Sequence, residues 1–278
     1  MPISRRGFLH AIAALSIPAL ALPAQATGAP RKRLTLLTYP GTGKTDIPIG
    51  EFMSGMAPLQ THLEQASHRE LSVTLLRSIA KFNAAAQSRL NAPDLAYGPS
   101  TSATVYMNAG YLPLVRVSKL ASGMIVSKLP LSAIRSVAFP DPESWLSQVG
   151  EYTVEILTGR SLQYHYANSQ DAAVEALRYG LAEAAGVRPA TLRKLQGEDP
   201  AYQVIARLPE TPDFTLLAHY DLDPFLREAI KDALLQLPAT TVAALDRVYH
   251  IKLGRFTHTD EGEFEILRRI IVAAKRFG

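Results

Sequence analysis

From Leu34 onward, short apolar runs alternate with amphipathic stretches, and this alternation restricts the fold more than any other feature of the chain. Leu34-Thr-Leu-Leu-Thr-Tyr39 has the length and composition of a buried strand. A helix is expected over 52–66, a strand over 71–76, a helix over 79–90 and a strand over 95–97 that Gly98-Pro99 ends. A helix over 100–109 and a strand over 112–117 follow. This βαβαβαβ order argues for a parallel sheet with helices on both faces. The pattern then restarts, with strands over 123–127 and 137–139, a helix over 144–157, a strand over 162–166, a helix over 171–179 and a short strand over 184–187. Segments 202–206 and 215–219 read as strands leading back. Helices over 223–235 and 262–276 close the chain, with acidic starts at Asp223 and Asp260 and basic ends at Lys275 and Arg276. The expected organisation is two α/β lobes, one of residues 27–118 with 218–278 and the other of residues 119–217.

Residues 1–26 stand apart. Ser4-Arg5-Arg6-Gly7-Phe8-Leu9 is followed by an alanine-rich apolar stretch and by Ala24-Gln25-Ala26, small residues where a signal peptidase reads them. That order is a secretory signal, and the paired arginines give it a twin-arginine address to the periplasm. The apolar stretch contains Pro18 and is shorter than the ~20 residues of a spanning helix. The chain has no cysteine, which excludes disulfides, a lipid-bearing cysteine and thiolate chemistry. The leader holds two of the basic residues, Arg5 and Arg6, and no acid, leaving 27 basic against 25 acidic residues. A balance that small gives no reason to expect nucleic acid as a partner.

Candidate ligand contacts cluster where strands pass into helices, because first-turn N–H groups lack helical acceptors and attract anions. Tyr39-Pro-Gly-Thr-Gly-Lys-Thr45 falls at a strand's carboxyl end, where open α/β sheets bind ligands, and offers Tyr39 and Thr42. It is not a nucleotide P-loop, since Thr38 stands where that motif needs glycine. Tyr97-Gly-Pro-Ser-Thr-Ser102 places Tyr97, Ser100 and Thr101 at the next junction, where a hydroxyl either contacts ligand or caps the helix. Pro140-Asp-Pro-Glu-Ser144-Trp145 poses the same choice in the second lobe, with Ser144 as cap or anion ligand and Trp145 as core residue or aromatic wall. In Tyr164-His-Tyr-Ala-Asn-Ser169, strand alternation puts His165 on the face opposite Tyr164 and Tyr166; Asn168 or Ser169 starts the next helix. Glu183 precedes a small apolar strand and, if buried, needs a partner, either a ligand cation or Arg188. No nucleophile elbow, metal-ligand spacing or other catalytic set occurs, so no cofactor and no reaction is expected.

Asp94-Leu-Ala-Tyr-Gly-Pro99, Phe139-Pro-Asp-Pro-Glu-Ser144, and Ser169-Gln-Asp-Ala-Ala-Val-Glu-Ala-Leu177 with Gly180 and Glu183 together resemble the phosphate, phosphite and phosphonate substrate-binding proteins of ABC transporters. The 209–212 segment and the 221–235 helix are also similar, so the likeness spans most of the mature chain. It implies the two-lobed type II periplasmic-binding-protein fold, each lobe a mostly parallel sheet flanked by helices, with the ligand cleft between lobes. It also implies that the Tyr97, Ser144 and Glu183 positions face the cleft, the helix start at Ser144 holding the oxyanion and the acid meeting an amino group on some ligands. The chain departs where the family often has Ser-Thr-Ser-Gly, reading Ser144-Trp-Leu-Ser147. The expected function is a monomeric periplasmic capture protein for a small oxyanion, serving an ABC permease, or alternatively presenting its liganded form to a membrane sensor kinase. Fold alone does not choose between them.

Overall fold

The computed structural model describes residues 33–41, 47–88, 91–249 and 253–277. The leader and Thr42 lie outside the described residues. In the first half, strands β1 (Arg33–Thr38), β2 (Glu70–Leu75), β3 (Leu95–Gly98) and β4 (Tyr111–Val117) are separated by helices α1 (Ile49–Ser67), α2 (Ile79–Ala85) and α3 (Ser100–Asn108). The short β5 (Leu120–Ala121) follows, then β6 (Met124–Ser127), β7 (Ser136–Phe139), α4 (Trp145–Thr158), β8 (Gln163–Tyr166), α5 (Gln170–Arg178), β9 (Ala184–Val187), α6 (Pro189–Glu198) and β10 (Gln203–Arg207). The chain returns through β11 (Thr211–Pro212) and β12 (Thr215–His219) to α7 (Pro224–Leu235), α8 (Ala239–Tyr249), β13 (Phe256–His258), a 3-10 turn (Glu261–Phe264) and α9 (Glu265–Phe277).

Two sheets result, ordered β13-β4-β12-β3-β1-β2 and β10-β6-β9-β7-β8. The parallel pairing read from the sequence holds for β1, β2 and β3 and for β7, β8 and β9. It fails for β4, which meets the first sheet only through the antiparallel β12. The reason is the connection between the sheets: β4 runs out toward the second sheet and β12 runs back, so the two lie side by side in opposite directions. The outgoing and returning chains also pair with each other, as the two-stranded ladder β5–β11.

Strand alternation gives each sheet two apolar faces. Leu34, Leu36 and Tyr97 face one core with Phe52, Met56, Ile230 and Leu245 from α1, α7 and α8. Ala96 faces the opposite core with Phe82 and Tyr106 from α2 and α3. In the second sheet, Val137 and Phe139 pack with Trp145, Leu146 and Val149 of α4, and Ala138 packs with Ala173 and Val174 of α5. The sequence groups 218–278 with the first lobe, but α9 seats Leu267 and Ile270 in the α4 side of the second core. Gly150 and Gly186 let the Phe139 ring lie between helix and strand, since a Cβ on either would approach it to 2.3 and 2.6 Å. Among the described residues, no helix is long and apolar enough to cross a membrane.

Candidate functional site

The carboxyl ends of the parallel strands in both sheets converge. Tyr39, just past β1, donates its N–H to the Tyr97 carbonyl at 3.2 Å. The same tyrosine lies within the field of Asp141 and Glu143, from the loop after β7 of the second sheet. Asn83 of α2 bridges directly to that loop, its Nδ2 donating to Glu143 Oε2 at 2.5 Å. A cleft between the lobes is therefore lined by strand-to-helix junctions from both.

The amino end of α3 carries the most distinctive chemistry in this cleft. The helix begins at Ser100, its N-cap is Pro99, and no side chain caps it. Its first-turn N–H groups therefore have no helical or side-chain acceptor. Ser100, Thr101 and Ser102 are 0, 2 and 0 % exposed, and the hydroxyl oxygens of all three are buried without a hydrogen-bond partner. The Tyr97 hydroxyl is in the same condition. Burial, reinforced by Tyr249, Asp213 and Asp246, pushes the Tyr97 phenol well above its ordinary value, so it remains an O–H donor. Burial likewise raises Tyr39, helped by Asp141 and Glu143. Leaving a buried hydroxyl unpaired costs ~1–3 kcal/mol, and native proteins leave few such groups. Three of these hydroxyls open α3, and the fourth is carried by Tyr97 on the other face of β3, among Phe214, Tyr249 and Phe256.

The floor of the cleft is built at the β5–β11 ladder. Trp145 Nε1 donates to Thr211 Oγ1 at 2.7 Å. The Arg188 guanidinium lies 4.6 Å over the Trp145 ring and donates to the Ser122 carbonyl at 3.1 Å. Two residues past Thr211, Asp213 keeps a buried carboxylate oxygen, Oδ1, without a partner. Burial holds its carboxyl above the usual value, against the opposing pull of Arg188.

A family model described as the periplasmic substrate-binding protein of a phosphonate ABC transporter matches residues 50–263, which takes in every strand but β1 and the ladder between the sheets. The chain belongs to this family. Solved structures agree on the fold. PhnD1 from Prochlorococcus marinus, in complex with methylphosphonate, superposes with a TM-score of 0.69 at 12% identity, covering 88% of this chain and 99% of that one. XAC2383 from Xanthomonas citri, bound to chloride ion, gives 0.69 at 13% identity, covering 88% and 98%. The aliphatic sulphonate binding protein SsuA from Escherichia coli gives 0.56 at 14% identity, covering 88% and 91%. Among curated proteins, none matches the sequence. As a family member the chain is a type II periplasmic binding protein that captures a small oxyanion for an ABC transporter permease. The family favours this role over presentation of a ligand to a sensor kinase.

Within this phosphonate-binding frame, the structure brings some of the sequence-predicted residues together and separates others. Tyr39, Ser100 and Thr101 stand at first-sheet junctions on the α2–α3 face, whereas the Tyr97 ring packs on the other face of β3 against Phe214, Tyr249 and Phe256. Ser144 is the N-cap of α4: its Oγ accepts from Ser147 N at 3.3 Å and contacts Ser147 Oγ at 2.9 Å, while Ser147 Oγ donates to the Asp141 carbonyl at 2.7 Å. Its hydroxyl is thus already satisfied within the protein. Trp145 is 2 % exposed and belongs to the second core, with its indole N–H spent on Thr211. His165 is half-buried on β8, an edge strand. Tyr164 and Tyr166 leave the other face to meet Glu155 and Glu151 of α4, as alternation requires. Asn168 is exposed, and Ser169, not Asn168, caps α5.

Glu183 stands before β9, level with the start of β7, because Ala184 pairs with Val137. That is the end of the sheet opposite the Phe139–Ser144 junction. Its carboxylate accepts the Arg135 N–H at 2.5 Å, so its partner is a backbone amide and not Arg188. Arg188 follows the other end of β9, at the cleft. Sequence reading did not single out Asn83, Ser102, Arg188 or Asp213 as cleft residues. Ser102 was the one with a local signal, as the third hydroxyl in the Ser100–Ser102 run.

Proposed function

We propose that this protein holds the oxyanion of its ligand at the amino end of α3, through the Ser100, Thr101 and Ser102 hydroxyls and the first-turn N–H groups. The observation that carries this reading is the coincidence of three buried, unpartnered hydroxyls at one uncapped helix start. These donors are neutral, so an anion bound there is stabilised by dipoles and hydrogen bonds, as at other helix N-termini. Tyr39 closes the site from the first lobe, and the Asp141–Glu143 loop covers it from the second. Thr42, three residues after Tyr39 in the chain, is proposed as a further contact. The lobes turn about the β5–β11 ladder, and the Asn83–Glu143 bond is a contact of the closed form.

The protein works as a monomer, without chemical conversion of its ligand. Residues 1–26 direct its export by the twin-arginine route, with the mature chain starting at Thr27. A thermal-shift panel of methylphosphonate, phosphite, phosphate and sulfonates tests the ligand class. A ligand at 100 times its dissociation constant adds ~2.7 kcal/mol, a readily measured upward shift. Small-angle scattering with the best ligand is expected to show a smaller radius of gyration. No stabilisation by any of these anions would end the reading.

A further inference from the structure

We propose that Arg188 and Asp213 together select a phosphonate or related oxyanion bearing a neutral hydroxyl group, and reject one bearing an ammonium. This rests on the α3 reading for the oxyanion end of the ligand. The tail end is decided by the cleft floor. β12 runs antiparallel to β3 with Thr215 opposite Gly98, so Asp213 falls just past the end of β3, beside the start of α3. A short tail leaving the α3 site toward the β5–β11 ladder therefore meets Asp213 and Arg188.

Asp213 by itself would welcome an ammonium, since its buried Oδ1 has no donor. Arg188 changes that balance. Its guanidinium is held in place by the Trp145 ring and the Ser122 carbonyl, and Trp145 in turn donates to Thr211, two residues before Asp213, so the guanidinium stands near the acid without a contact ion pair. Arginine does not lose its charge in a protein. The acid and the guanidinium already balance, so a ligand ammonium would bring an uncompensated positive charge onto a desolvated floor. A hydroxyl suits both neighbours. It donates its proton to Asp213 Oδ1 and offers a lone pair to the guanidinium.

The test is calorimetric titration of the full mature protein with ethylphosphonate, 2-hydroxyethylphosphonate and 2-aminoethylphosphonate. Satisfying the orphan acceptor should make the hydroxyethyl compound bind about tenfold or more tightly than the ethyl compound, and the aminoethyl compound should bind most weakly. Arg188→Met, checked for folding by circular dichroism, should raise aminoethyl affinity relative to hydroxyethyl by at least about tenfold. A wild-type protein that binds the aminoethyl compound as well as the hydroxyethyl one overturns the inference, whatever the variant does. A folded Arg188→Met protein with an unmoved ratio overturns it as well. If all three bind equally, the α3 reading survives and the selectivity is wrong. If none binds, both fall together.

Discussion

Replacing Thr101 by valine and Ser102 by alanine separates a ligand site from a structural one, because the two roles predict opposite effects on the empty protein. Both hydroxyls are buried and unpartnered, and neither caps α3. Removing either deletes an unsatisfied polar group, so the melting midpoint of the unliganded protein should hold or rise. Relief of ~1 kcal/mol, the low end of the cost of such a group, corresponds to a gain of ~2–4 °C for a protein of this size. Ligand affinity should move the other way. A hydrogen bond to a charged group is worth ~1.5–3 kcal/mol, and each 1.4 kcal/mol is tenfold, so each variant should bind methylphosphonate roughly ten- to a hundredfold more weakly. Ser144→Ala is the matched control. Its hydroxyl caps α4 and touches Ser147, so its loss should cost ~0.5–2 kcal/mol of stability and leave affinity nearly unchanged. Titration calorimetry and thermal melts of the three variants measure both quantities. The argument is refuted if Thr101→Val and Ser102→Ala melt lower than wild type while binding methylphosphonate normally.

Three further outcomes are expected. Gly150→Ala would force a Cβ to 2.3 Å from the Phe139 ring, and overpacking of this kind costs ~1–3 kcal/mol; an unchanged midpoint would show that the α4 contact yields easily. Burial pushes the Glu151 carboxyl up from 4.5 to about 7, despite the hydrogen bond from Tyr166 and with help from Glu155. The folded protein then keeps a proton that the unfolded chain releases, so this contribution is complete below pH 4.5 and is lost as pH rises through 7. Melts at pH 5 and pH 8 should therefore differ more for wild type than for Glu151→Gln, and an equal difference would remove Glu151 as the source. Changing Arg5 and Arg6 to lysine should leave precursor in the cytoplasm on fractionation, whereas normal export would point to the general secretion route.

The sequence by itself determined most of the elements and their punctuation, although α6, α8 and β13 were not read from it. β1, β3, β9 and β12 fall where apolar runs announce them, and Asp223 and Asp260 cap the turns they precede. These features depend on residues within a turn or two of each other, which is the range over which periodicity and capping act. The Tyr97–Ser102 junction was legible for the same reason, as a strand end carrying hydroxyls into a helix. Strand direction and partnership required the whole fold. β12 enters antiparallel between β3 and β4 because the chain must return from the second sheet beside the strand that left the first. That same topology decides which end of β9 meets the cleft, placing Arg188 there and Glu183 at the far edge. Ser144 and Ser102 look alike as sequence, yet one hydroxyl finds Ser147 and the other finds nothing. Whether a buried polar atom is satisfied depends on every group packed around it, and only tertiary structure brings those groups together.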